Sequence, residues 1–249
     1  VPYLPCNGID LYYEQLGIGS PVLFLHSGFS RGLLAFASQI LDFQTSYACY
    51  YPDFRGHGRT RSDSLEWSTP QHAEDMIAFL DQLDIPNVHL IGYGMGGGVA
   101  LYCALNHPER IASLTSIGQC GFVASAGSEE FEPERLLQTN NAAFIQSMEE
   151  RHRDAHRGDW QTFLRTKLKD WRSYPQLTDD QLRAIRCPSL FIAGELDELA
   201  PEADMKRVTA LIPDSRYVVV PGGSHRPHMN REQPVFVNDT ILQFIADHS

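Results

Sequence analysis

Asn87-Val88-His89-Leu90-Ile91-Gly92-Tyr93-Gly94-Met95-Gly96 is the stretch whose reading decides the fold. Asn87 to Ile91 reads as a short buried strand, and the small-residue run from Met95 to Asn106 reads as a helix. Between them lies the frame of a G-x-S-x-G turn, the sharp strand-to-helix reversal that lifts one side chain into the open. Gly94 stands at the lifted position, where that pattern has serine. The same glycines also fit G-x-G-x-x-G through Gly92, Gly94 and Gly97, a dinucleotide-binding fingerprint. That fingerprint opens its domain and is followed about 20 residues later by an acid at the next strand end. Here several strands come first, and the next strand ends at Ile117-Gly118-Gln119-Cys120 without a carboxylate, while Glu109 falls too early. The nucleotide reading loses.

Working outward, Tyr3 to Cys6 and Ile9 to Gln15 flank an Asn7-Gly8 turn and predict a hairpin. Val22 to Leu25, Tyr47 to Tyr51, Val88 to Ile91 and Leu114 to Ile117 predict strands, with helices over Leu33 to Leu41, Pro70 to Leu83 and Met95 to Asn106. This alternation predicts an α/β fold, a mostly parallel twisted sheet with helices on both faces. From Phe122 to Ile185 no strand pattern is found, only charged amphipathic stretches carrying Phe131, Phe144, Trp160, Phe163 and Trp171. Strands resume at Ser189 to Ala193 and Arg216 to Val220, and Glu232 to Ala246 closes the chain as a helix. The expected organisation is a core of residues 1–121 and 186–249 with a helical cap of residues 122–185. Such an insertion belongs over the C-terminal ends of the strands, where these sheets bind ligands.

The bulk properties narrow the partners. A chain of 249 residues with 43% hydrophobic residues holds a sizeable core, and its net charge of -11 argues against nucleic acid or an anionic membrane. No apolar run approaches the roughly 18 residues of a membrane span, and no signal peptide is visible at Val1-Pro2-Tyr3-Leu4-Pro5, so a cytoplasmic location is expected. The five cysteines lie far apart without metal-ligand spacing and read as reduced thiols. The expected partner is a small-molecule substrate, with no cofactor and no metal, acting on a monomer or homodimer. His152 and His156 share an i,i+4 spacing that can hold a metal, but Arg151, Arg153 and Arg157 around them favour a solvated cap face.

In order along the chain stand His26-Ser27-Gly28-Phe29, Asp53-Phe54-Arg55-Gly56-His57-Gly58-Arg59-Thr60-Arg61-Ser62, the Gly94 turn, Gly194-Glu195-Leu196-Asp197 with Pro201, and Pro221-Gly222-Gly223-Ser224-His225 followed by Glu232 and Pro234. With these segments the chain resembles the α/β-hydrolase superfamily over nearly its full length. The resemblance implies a nucleophile position at Gly94, a catalytic acid at Asp197 and a catalytic histidine at His225. Its oxyanion hole would draw on the N–H of Met95 and of Gly28 or Phe29, since Ser27 extends the usual His-Gly loop. Such sites need an imidazole to take the nucleophile's proton, a carboxylate to hold the imidazole, and N–H donors for the oxyanion. His26 and His57 fall in segments that brace loops. Ser27, Tyr93, Cys120 and His228, with Phe144, Trp160 and Trp171 from the cap, are the candidate pocket walls. Cys120 also has a thiol to offer, although a small buried residue is the plainer reading.

Three readings of Gly94 stay open. It replaces a serine by engineering, leaving a hydrolase of small esters, lactones or carbon–carbon bonds next to a carbonyl without its attacking oxygen. Alternatively His225 and Asp197 act without a covalent nucleophile, activating water or abstracting a proton. In the third reading the chain is a catalytically dead ligand-binding module.

Overall fold

A computed structural model describes residues 3–248. Its strands are β1 (Tyr3–Cys6), β2 (Ile9–Leu16), β3 (Ser20–Leu25), β4 (Tyr47–Pro52), β5 (Val88–Tyr93), β6 (Ile111–Ile117), β7 (Ser189–Gly194) and β8 (Ser215–Val220). They form one eight-stranded sheet of order β1-β2-β4-β3-β5-β6-β7-β8. The β1–β2 and β2–β4 pairs are antiparallel, and every pair from β4 to β8 is parallel. β5 and β7 are buried at every position. That burial explains their continuous apolar runs, since parallel strands are covered on both faces.

Two apolar layers cover the sheet. On one face lie α3 (Thr69–Gln82), α4 (Met95–Asn106) and α10 (Glu202–Leu211), contributing Met76, Phe79, Val99, Leu101 and Met205 to the larger core. On the other lie the one-turn helices α1 (Gly32–Ala35) and α2 (Ile40–Phe43) and the closing α11 (Pro234–Ala246), contributing Phe43, Val237, Ile241 and Phe244. The single helix expected over Leu33 to Leu41 is therefore interrupted. The reason is Gln39, whose buried amide donates to His228 O and to Asn238 Oδ1 at 2.8 Å each, tying this segment to the last loop and α11. Likewise the closing helix begins at Pro234 rather than Glu232, because the Glu232 carboxylate accepts from the Ser224 backbone N–H at 2.9 Å.

Between β6 and β7 come α5 (Pro133–Gln138), α6 (Ala142–Arg151), α7 (Arg153–His156), α8 (Trp160–Trp171) and α9 (Asp179–Ala184), with no strand among the described residues. Asp159 caps α8 by accepting from Thr162 N–H at 3.1 Å. The apolar positions of α8, Trp160, Phe163, Leu164 and Leu168, form the interior of this unit with Leu136 and Met148. A polar seam joins it to the sheet domain. Thr69 N–H and Oγ1–H donate to the Asp170 carboxylate at 2.6 and 2.7 Å, and Gly58 N–H donates to His152 Nδ1 at 2.9 Å. This corrects the solvated face expected for His152 and His156, which are 0% and 3% exposed. The turn between α6 and α7 packs on the Asp53 to Ser62 loop, and Arg153 and Arg157 are exposed, Arg157 donating to Ser62 O, while the imidazoles are buried.

No helix among the described residues is long and apolar enough to cross a membrane, and none of their His, Cys, Asp and Glu side chains cluster as a metal-holding group.

Candidate active site

Strand order brings the ends of β3, β5, β6, β7 and β8 to one edge of the sheet. Gly94 follows β5 with φ 54° and ψ -118°, a conformation strained for any residue with a Cβ, and its N–H donates to Ile117 O at 2.9 Å. Asp197 follows β7 and His225 follows β8. Both carboxylate oxygens of Asp197 lie 3.0 Å from His225 Nδ1. The Asp197 side chain is fully buried, and its Oδ1 also accepts from the N–H groups of Leu199 and Ala200 at 2.9 and 3.2 Å. These bonds fix the carboxylate, which fixes the imidazole with Nδ1 protonated and Nε2 free to accept. At the end of β6, Gly118 makes the room for this pair, since a Cβ built there would stand 2.9 Å from His225 Nδ1.

His225 Nε2 faces Gly94. A Cβ built on Gly94 lies 3.6 Å from that nitrogen and 3.4 Å from Ser27 Cβ, so the position is open. One further bond would carry a hydroxyl into hydrogen-bond reach of Nε2, about 2.6–3.2 Å.

The loop after β3 supplies the facing wall, and the carbonyls of Ser27 and Phe29 are engaged from behind. His26 Nδ1–H donates to Ser27 O at 2.8 Å while His26 Nε2 accepts from Phe54 N–H at 3.0 Å. His57 lies with Nε2 3.1 Å from Gly28 O and Nδ1 2.9 Å from Arg55 O, its one N–H serving one of these two carbonyls, and the Arg151 guanidinium donates to Phe29 O. The backbone N–H groups of Gly28, Phe29 and Met95 have no acceptor among the described residues. Burial in this layer pushes His26 down to about 3 and holds His57, His72 and His152 well below the ordinary imidazole range. They are neutral braces, as expected of His26 and His57.

A cavity of about 650 Å³ opens above Gly94. Gly28, Phe29, Gly94, Met95 and His225 line it, as do the candidate wall residues Ser27, Tyr93, Phe144 and Trp171. Phe29 sits at the centre of an aromatic wall, with ring centroids 4.9 Å from Phe131, 5.6 Å from Phe144 and 5.9 Å from Trp171. Three candidates lie outside the lining. Trp160 is in the cap interior, following the apolar period of α8. His228 is turned away, with Nε2 3.2 Å from Ala35 O and its ring 4.4 Å from that of Tyr93. Cys120 is buried, which pushes its thiol up to about 12 and leaves it no thiolate at neutral pH.

Sequence reading missed Lys167, Arg151, Asp170, Phe131 and Met148, all of which line the cavity. For Lys167 a signal was available. Trp160, Phe163, Leu164, Lys167 and Trp171 recur at helical spacing, so the lysine occupies a position that the period reserves for an apolar residue.

The sequence profile of the Alpha/beta hydrolase family matches residues 22–240. Among curated relatives, the pimeloyl-[acyl-carrier protein] methyl ester esterase of Aeromonas hydrophila is 28% identical over 88% of this chain and 94% of its own length. The non-heme haloperoxidase of Rhodococcus erythropolis is 27% identical over 96% of this chain and 97% of its own. Among solved structures, a meta-cleavage product hydrolase from Pseudomonas fluorescens IP01 superposes with a TM-score of 0.81, covering 99% of this chain and 98% of its own at 19% identity. These relatives carry different activities on one architecture, so the likeness transfers the fold and the arrangement of strand ends rather than a substrate. The chain belongs to the alpha/beta hydrolase family.

Proposed function

We propose that this chain is a hydrolase framework for small esters, lactones or carbon–carbon bonds next to a carbonyl, with Gly94 at the place of its nucleophile. The observation that carries this reading is the 3.6 Å separation between His225 Nε2 and the Cβ position of Gly94. A hydroxyl there would lose its proton to Nε2 while attacking the substrate carbonyl, and Asp197 would stabilise the imidazolium. The N–H groups of Met95 and of Gly28 or Phe29 would receive the oxyanion. Without the hydroxyl, the covalent route is absent and only binding and oxyanion stabilisation remain.

The test is Gly94→Ser. Hydrolysis of p-nitrophenyl acetate should rise by about 10³-fold or more, with a burst of nitrophenol from an acyl-enzyme. The same change should cost about 1–3 kcal/mol of stability in chemical denaturation, because serine is strained at a φ of 54°. A folded Gly94→Ser protein as inert as the Gly94 protein would reject the reading.

A second reading is favoured by the intact Asp197–His225 pair, which a site without chemistry does not require. Here His225 activates water or takes a proton from the substrate directly. In that case the Gly94 protein is already active, His225→Ala abolishes the activity, and Gly94→Ser obstructs it.

A further inference from the structure

Lys167 lies on the buried face of α8 and is 5% exposed. Its stem passes directly over Gly28, so that a Cβ built on Gly28 would overlap Lys167 Cε and come within 2.7 Å of Nζ. The ammonium stands 5.6 Å from the Phe29 ring centroid and 5.3 Å from that of Trp171. No hydrogen bond or ion pair reaches it from any described residue. The nearby Asp170, on the same helix, is engaged instead by Thr69 N–H and Oγ1–H. Of the other cations lining the cavity, Arg151 is taken up by Phe29 O and Ser147 Oγ, and Arg226 stands at the exposed rim.

We propose that Lys167 binds a carboxylate of the substrate, making this cavity selective for small acyl compounds that carry an anionic end close to the reacting carbonyl. A buried ammonium with no hydrogen-bonded or ion-paired acceptor, its acidic neighbour Asp170 being bonded to Thr69, is unfavourable, and a ligand carboxylate would satisfy it in a setting where water screens little. The placement sets the reach. Lys167 Nζ adjoins Gly28, and the neighbouring Ser27 stands 3.4 Å from the Cβ position of Gly94, so the anion and the reacting carbonyl are separated by a short chain. The sign is also against the chain as a whole, whose net charge is -11. A basic cavity in an acidic protein draws anions into the cavity while the outer surface does not. The inference deepens the hydrolase reading and rests on it for the identity of the reacting group.

Burial lowers the lysine to about 8, and Asp170 opposes that shift. Facing it besides Asp170 are His57 beneath the Gly28 loop, Arg151 from α6, and His225 and Arg226 from the loop after β8. His57 is held neutral by burial, so of these two groups it is Lys167 that changes charge above pH 7.

The experiment is a calorimetric titration of the Gly94 protein, which needs no turnover and so stands whether or not Gly94→Ser yields an esterase. Monomethyl succinate should bind at least about tenfold tighter than dimethyl succinate at pH 7, and the preference should fade as pH rises past about 8. Lys167→Met, which keeps an unbranched stem, should abolish the preference while leaving diester binding in place, and Lys167→Arg should keep part of it. Equal binding of the two esters, a preference that survives Lys167→Met, or a preference flat from pH 7 to 9.5 would overturn the proposal. So would inorganic phosphate displacing monomethyl succinate at equal concentration, since that marks a general anion trap. The pH series uses the unaltered chain and decides the matter even if the substituted proteins fail to fold.

Discussion

The floor and the roof of the cavity are made in different ways. The floor is a set of strand ends, where Gly94, Asp197 and His225 are presented by loops whose backbone is held by hydrogen bonds into the sheet. The roof is a set of helices whose side chains are set by packing inside the cap and by a polar seam at Asp170 and His152. On the proposed function, the floor would fix chemistry that tolerates little displacement, and the roof would fix shape and charge that can vary without disturbing it. Substitutions in the two regions should consequently fall on different kinetic constants.

The sharpest break is expected on the floor. In the Gly94→Ser background, Asp197→Asn should lower kcat by about 10⁴-fold, because the imidazole is then held in the wrong tautomer. Stopped-flow acylation rates would measure it. A loss below tenfold would mean that Leu199 and Ala200 N–H, not His225, are what the carboxylate serves.

How far each region could be read from sequence follows the same division. Strand ends are marked by glycine, aspartate and histidine in loops with fixed offsets from apolar runs, so the strands along the chain, and the placement of Gly94, Asp197 and His225 at their ends, were legible. The cap interior was legible only as a helical period. Nothing local distinguishes a tryptophan that fills the cap, Trp160, from one that faces the cavity, Trp171, because both satisfy the same repeat and only the docking angle of α8 separates them. His152 and His156 misled for a related reason. Flanking arginines argue for solvent, but a long charged side chain can turn outward from a helix while its neighbour turns in. The interruption at Gln39 had no local mark either, since its partners His228 and Asn238 lie in the last part of the chain.

A second prediction concerns the seam between floor and roof. Unfolded, the buried imidazoles take up protons near 6.5, whereas in the fold His26 and His228 resist protonation down to about 3. Between those values the unfolded chain binds more protons, so stability present above 6.5 is lost as pH falls toward 3. The loss is about 1.4 kcal/mol per pH unit for each such histidine, or about 2 kcal/mol each at pH 5. Urea midpoints at pH 7 and pH 5 would measure it, and a flat profile would contradict the neutral layer. Because His152 joins that layer from the cap, hydrogen exchange at pH 5 should rise first in α6 and α8.

The smallest effect is expected on the roof. Phe144 is half-buried, meets Phe29 edge to face, and lines the cavity without contact to His225. Phe144→Ala removes apolar surface that a bound acyl chain would cover in the ground state and the transition state alike. That is uniform binding, so KM should rise while kcat holds. A partial loss of one aromatic contact is worth about 1 kcal/mol, or about fivefold in KM. Steady-state kinetics of the Gly94→Ser, Phe144→Ala protein on p-nitrophenyl esters of increasing chain length would measure it, with the KM effect growing as the acyl group lengthens. If kcat falls instead, the cap takes part in placing the reacting carbonyl over Gly94, and the division between a floor that reacts and a roof that selects does not hold.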